Sequence, residues 1–255
     1  MSNSANRFNR NAQQAKQPKG KFVEQRQQGG EQKLGYHSIA LTQKQKHLGQ
    51  LIRSNDLVFV EGPSGTGKSL GVLYEYVKQY LSDNTKQILI CRTPVEAGTD
   101  KVGYLPADLK AKLEPHFAAA RQTLDTLLTK EKVECDLDKR IKFVIPNFML
   151  GQTLDNSLVF IDEAQQIQPL ILKLLLERIG KNSVCVVAGD AKQLYVKDKS
   201  RNGLTDAIHR FFRVDQKGMK IPRYDYIEHM EFEVEDVQRS ELTKNVIRAY
   251  SDLFE

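Results

Sequence analysis

The chain has 255 residues, of which 40% are hydrophobic and 27% charged, so it can bury a substantial core and is neither fibrous nor low in complexity throughout. No apolar run approaches the length of a membrane span, and the opening MSNSANRFNRNAQQAKQ lacks the apolar stretch of a secretory signal, which predicts a cytoplasmic protein with no membrane partner. The formal net charge is +6, and the three cysteines, Cys91, Cys135 and Cys185, are too few and too scattered for a disulfide framework or a zinc site.

In chain order, residues 1–36 come first, with seven Lys or Arg, two Glu and seven Gln, a net charge of +5. With few large apolar side chains, this composition predicts a disordered basic arm. Such an arm can grip phosphate backbones by charge, or simply keep the chain soluble. Residues 37–255 read as one folded domain. Thr42 can cap a helix running to about Arg53 and carrying Gln43, Gln45 and Leu48. The apolar run 57–60 stops at Gly62-Pro63 and reads as a buried strand entering a turn, with a helix over 68–80 behind it.

Further strands are expected at 88–91, 141–145, 158–161 and 184–188, each flanked by helical or turn-rich sequence. Leu170, Leu174 and Leu175 suggest the core-facing stripe of a helix, and Glu131, Glu134, Asp136 and Asp138 a solvated acidic loop. Short apolar strands separated by helices predict an α/β fold with a mostly parallel sheet covered on both faces. Ligands of such sheets bind beyond the carboxyl ends of the strands. Gly62 to Ser69, Arg92, Asp162-Glu163 and Gly189-Asp190 all fall at those ends.

Gly62-Pro63-Ser64-Gly65-Thr66-Gly67-Lys68-Ser69 fits G-x-x-x-x-G-K-[ST]. Glycines let such a loop turn backbone N–H groups inward around phosphate oxygens, and the helix behind points its positive end at them. Lys68 is expected on the terminal phosphates and the Ser69 hydroxyl on magnesium. Leu158-Val159-Phe160-Ile161-Asp162-Glu163 is an apolar strand ending in two carboxylates. Asp162 suits the magnesium side of an ATP site and Glu163 suits the base that takes a proton from attacking water. Gln193, in Gly189-Asp190-Ala191-Lys192-Gln193, can touch the γ-phosphate, the alternative being a plain Gly-Asp turn. Arg92 closes its strand where a loop could meet nucleotide or nucleic acid, or only turn. At least one strand intervenes between the phosphate loop and Asp162, as in the RecA-like branch of phosphate-loop proteins; this step is fold analogy.

Together these residues resemble the PhoH family of RecA-like ATPases, related to the cores of superfamily-one helicases. The resemblance runs from about Gln45 to Tyr250 and is carried by NDLVFVEGPSGTGKS, VEAG, VGYLPADL, VFIDEAQ and VQRSELTKNVIRAY. It implies a three-layer RecA-like fold that binds ATP with Mg2+ and hydrolyses it. It further implies Gln45 as the reader of the adenine edge, with Gln43 as local rival, and Arg239 as a γ-phosphate contact. The chain departs from the family at Leu150-Gly151-Gln152-Thr153, where arginines are usual, and at Tyr195, where Asp is common. Two functions are expected on these grounds: a nucleic-acid ATPase acting on RNA or single-stranded DNA, or an ATP-gated switch on a protein partner. The length leaves no room for a second such domain, which suggests a self-associating ring, possibly a hexamer, with Arg239 or Arg178 reaching a neighbour's site.

Overall fold

A computed structural model describes residues 36–94, 109–192 and 202–250, all within the unit Glu31–Glu255. The basic arm up to residue 35, the VEAG segment, most of VGYLPADL, and positions Gln193 and Tyr195 lie outside the described residues.

Thr42 begins the first helix, α1 (Gln43–Ser54), through a reciprocal cap. Its hydroxyl accepts the Gln45 amide while Gln45 Oε1 accepts the Thr42 amide at 2.9 Å. Then follow β1 (Leu57–Glu61), α2 (Lys68–Ser82), β2 (Gln87–Arg92), α3 (Leu109–Leu127) and α4 (Lys130–Asp136). The chain continues through β3 (Ile141–Val144), the short α5 (Pro146–Met149), β4 (Ser157–Asp162), a 3-10 turn at Ala164–Gln166, and α6 (Pro169–Leu176). It ends with β5 (Val184–Gly189), α7 (Gly203–Phe211), β6 (Phe212–Val214), β7 (Lys220–Pro222), β8 (Ile227–Glu231), a 3-10 turn at Val234–Asp236, and α8 (Glu241–Ala249).

Six strands form one sheet in the order β3-β2-β4-β5-β1-β8, every neighbouring pair parallel. Alternation along each strand divides the core into two layers. Val58, Val60, Leu158, Phe160 and Val186 pack with Leu48, Val72, Tyr76 and Leu124 on one face. Phe59, Val159, Ile161 and Val187 pack with Leu172, Leu175, Leu204 and Ile208 on the other. The result is the expected three-layer α/β fold, wholly parallel in its main sheet. Among the described residues no helix is long and apolar enough to cross a membrane.

Two local expectations are corrected. Helix α6 turns Leu175 inward as expected, with Leu172 beside it, but leaves Leu170 64% exposed, outside the stripe. Glu131, Glu134 and Asp136 belong to helix α4 rather than to a loop. Asp136 is buried, accepting from the Tyr80 hydroxyl and pairing with Lys132 at 2.6 Å. Strand β3 stops at Val144 because Pro146 starts a helix and cannot donate to a ladder.

Candidate active site

The strand register sets the site. Arg92 pairs with Asp162 across β2 and β4, and Glu61 pairs with Gly189 across β1 and β5, so four strands end level and their loops share one rim. Above it lies a cavity of about 360 Å³ lined by Ser64, Gly65, Gly67, Lys68, Ser69, Arg92, Asp162, Glu163, Asp190 and Arg239, with Ala119, Ala120 and Thr123 of α3 along one wall. The sequence-predicted loop residues divide between front and back. Ser64, Gly65, Gly67, Lys68 and Ser69 face the cavity, whereas Gly62, Pro63 and Thr66 do not line it. Thr66 Oγ1 donates to Pro63 O at 3.0 Å and stiffens the turn.

Two glycines are needed for reasons visible in the geometry. Gly67 caps α2 at φ 82°, a left-handed conformation that leaves the first amides of the helix facing the loop. Gly65 has φ 86°, and a Cβ there would come within 2.9 Å of Arg239 Cδ. The Gly65 carbonyl accepts the Gln238 amide at 2.9 Å, which fastens the segment carrying Arg239 to the loop. Arg239 thus reaches the cavity of its own chain, and Arg178, the other arginine considered, does not line it.

Lys68 is largely buried, its ammonium donating to Gly62 O at 2.5 Å and Pro63 O at 2.9 Å. Burial lowers its pKa, opposed by the nearby carboxylates of Asp190, Asp162 and Glu163. Asp162 is 9% exposed, and burial, reinforced by the charge of Glu163, pushes its pKa up to about 6. Arg92 partly compensates, with its guanidinium 3.9 Å from Asp162 Oδ2.

Glu163 sits at φ 53°, a conformation that non-glycine residues seldom adopt. Its carboxylate is held from both sides: Arg92 donates to Oε1 at 3.2 Å and Gln165 Nε2 to Oε2 at 2.6 Å. Gln165 is 0% exposed, and its Oε1 accepts the Asp190 amide at 3.2 Å. Arg92 is anchored in turn by donating to His116 O at 3.1 Å. Sequence reading left Arg92 undecided and gave Gln165 no part. The signal was the strand register, which the sequence does not display.

Gln45 lies behind the phosphate loop. It is buried, absent from the cavity wall, and donates from Nε2 to Gly67 O at 3.3 Å. With its carbonyl used in the α1 cap, it fastens α1 to the back of the phosphate loop.

The donor set fits magnesium and a triphosphate. The Ser69 hydroxyl and the buried Asp162 carboxylate are hard oxygen donors on one cavity, and a buried carboxylate that is only partly compensated is stabilised by a cation.

A family model described as "PhoH-like protein" matches residues 39–251. The chain is similar to a PhoH-like protein of Bacillus subtilis strain 168, with 32% identity over 210 residues, covering 82% of this chain and 62% of that protein. It is similar to Protein PhoH of Escherichia coli K12, with 29% identity over 216 residues, covering 84% of this chain and 58% of that protein. It spans less than two thirds of the length of these curated relatives. Among solved structures, the large terminase of a thermophilic bacteriophage shares the fold at TM-score 0.51 and 13% identity, over 85% of this chain and 52% of that one.

Proposed function

The chain belongs to the PhoH-like protein family, and from that membership we propose that it binds ATP with magnesium, hydrolyses it, and couples turnover to a single-stranded nucleic acid. The observation that carries this reading is the meeting of Lys68, Ser69, Asp162, Glu163 and Arg239 around one cavity at the level ends of β1, β2, β4 and β5. The loop amides and the start of α2 would cradle the phosphates, and Lys68 would trade its two loop carbonyls for phosphate oxygens. Ser69 and Asp162 would hold magnesium, which supplies charge neutralisation at the β- and γ-phosphates when bound.

Glu163 is the base in this reading: its carboxylate accepts a proton from water, and Arg92 with Gln165 fix where that carboxylate points. Arg239 supplies positive charge toward the γ-phosphate within its own chain. A neighbouring subunit is therefore not needed to provide that arginine. Self-association rests instead on α8, which buries none of its residues and turns Leu242, Val246 and Tyr250 outward.

Phosphate release measured with and without single-stranded RNA tests the proposal. Turnover should rise with RNA, and the rise should fade steeply with added salt. An intact chain that releases no phosphate under either condition would overturn it. Turnover indifferent to nucleic acid but altered by a protein partner would favour the ATP-gated switch.

A further inference from the structure

β6 and β7 form a two-stranded antiparallel hairpin outside the main sheet, with Phe212 facing Pro222, Arg213 facing Ile221 and Val214 facing Lys220. A hairpin of this size is marginal in water unless something fixes it. Its base is fixed by aromatic packing: Phe212 lies edge-on to Phe59 at 5.7 Å and to His229 at 5.6 Å, and Phe211 packs on Phe59 at 5.4 Å. Its turn is fixed by Asp215, whose Oδ1 accepts the Lys217 and Met219 amides, each at 2.8 Å. Its second strand is fixed by Lys220, whose ammonium reaches Glu61 at 2.6 Å, His229 at 3.2 Å and Glu231 at 3.4 Å. Glu61, His229 and Glu231 are a ligand set of the kind that could hold a metal ion, but that ammonium already occupies the space among them.

A rigidly held hairpin would be expected to spend its apolar side chains on the core. Beyond Phe212 this one shows them outward: Val214 and Met219, with Tyr224 and Tyr226 just after it, are between 60% and 67% exposed. Tyr226 is held at φ 59°, its carbonyl accepting the amides of Asp56 and Leu57, so the backbone fixes an unusual conformation while the ring stays in solvent. Arg213, Lys217 and Arg223 are exposed on the same segment and form no ion pair among the described residues. Of the two acids between positions 213 and 226, Asp215 is committed to its turn, leaving Asp225 as the one exposed carboxylate. Cations without acidic partners, interleaved with exposed phenol rings, suit phosphate contacts and base stacking.

We propose that this hairpin, with Tyr224 and Tyr226 beside it, is the surface that holds the single-stranded nucleic acid; the inference rests on the nucleic-acid reading above. Lys220 gives the bound strand a direct line to the nucleotide, because Glu61 immediately precedes Gly62 of the phosphate loop.

Fluorescence anisotropy of labelled single-stranded RNA and DNA oligonucleotides with the full chain tests it, using Arg213→Glu/Lys217→Glu and, separately, Tyr226→Asn. The double variant should bind at least about tenfold more weakly, with a salt dependence shallower by about 1.4 in log–log slope. Asparagine tolerates the left-handed backbone, so Tyr226→Asn removes the ring without disturbing the turn and should weaken binding about fivefold or more. Thermal melting identifies a variant that has merely unfolded. Binding equal to wild type in both folded variants overturns the hairpin proposal while leaving the nucleic-acid reading standing. A wild-type chain that binds neither RNA nor DNA overturns both. Variants that keep oligonucleotide binding but change their mass in light scattering would make the hairpin a protein interface and overturn the proposal.

Discussion

Between the Glu163 carboxylate and the backbone of Asp190 stands one primary amide, that of Gln165, with both ends engaged and no exposure to solvent. Replacing it with leucine leaves a backbone N–H without its partner and frees one side of the carboxylate. Gln165→Leu should lose about 1–3 kcal/mol of stability. It should also lower kcat while leaving the KM for ATP nearly unchanged, since it touches no part of the phosphate cradle; a rise in KM with kcat intact would refute the positioning role. Glu163→Gln should retain ATP, as judged by equilibrium binding, yet turn over about 10²–10⁴-fold more slowly. Lys68→Ala should weaken nucleotide binding as well as turnover, which separates the two residues in one titration. Normal turnover by Glu163→Gln would show that another group takes the proton.

Among the elements, β1 shows how local chemistry and fold depend on each other. Its last residue, Glu61, is pushed upward in pKa by burial, but bonds from His229 and Lys220 outweigh this and hold it below its usual value. A carboxyl depressed in the folded chain contributes stability that is complete above its ordinary value, near 4.5, and is lost as pH falls through the folded value. Acid unfolding followed by circular dichroism should therefore show a smaller loss of stability below about pH 4.5 for Glu61→Gln than for the wild type. Identical acid profiles would exclude that contribution. Gly65→Ala acts on a loop instead: the added methyl needs a left-handed backbone and displaces Arg239, so turnover should fall more than stability.

The sequence disclosed those elements whose pattern is local. The strands at β1, β2, β4 and β5 are continuous apolar runs, and the phosphate loop is defined by glycines within eight positions. Strand β8, IEHME, is interrupted by Glu228, His229 and Glu231, as an edge strand can be, and its partner is β1, far away in sequence. The β6–β7 hairpin, with strands of three residues each, has too short a period to register. Arg92 entered the site through strand register, Gln165 through its bonds to Glu163 and the Asp190 amide, and Gln45 lies behind the loop through its bond to Gly67; the Arg92, Asp190 and Gly67 contacts join segments well separated along the chain.

At the scale of the whole molecule, the outward apolar side of α8 predicts reversible self-association. Light scattering on the full chain should show a larger species than Leu242→Lys/Val246→Lys, and a wild type that stays monomeric at high concentration would exclude it. The order of the sheet carries a quieter consequence. β5 lies between the strand that feeds the phosphate loop and the strand that ends in Asp162. With strands about 4.8 Å apart, that interposed strand sets the ends of β1 and β4 roughly 10 Å from one another. For the proposed hydrolysis, such a gap would give width for a phosphoryl group and an attacking water side by side.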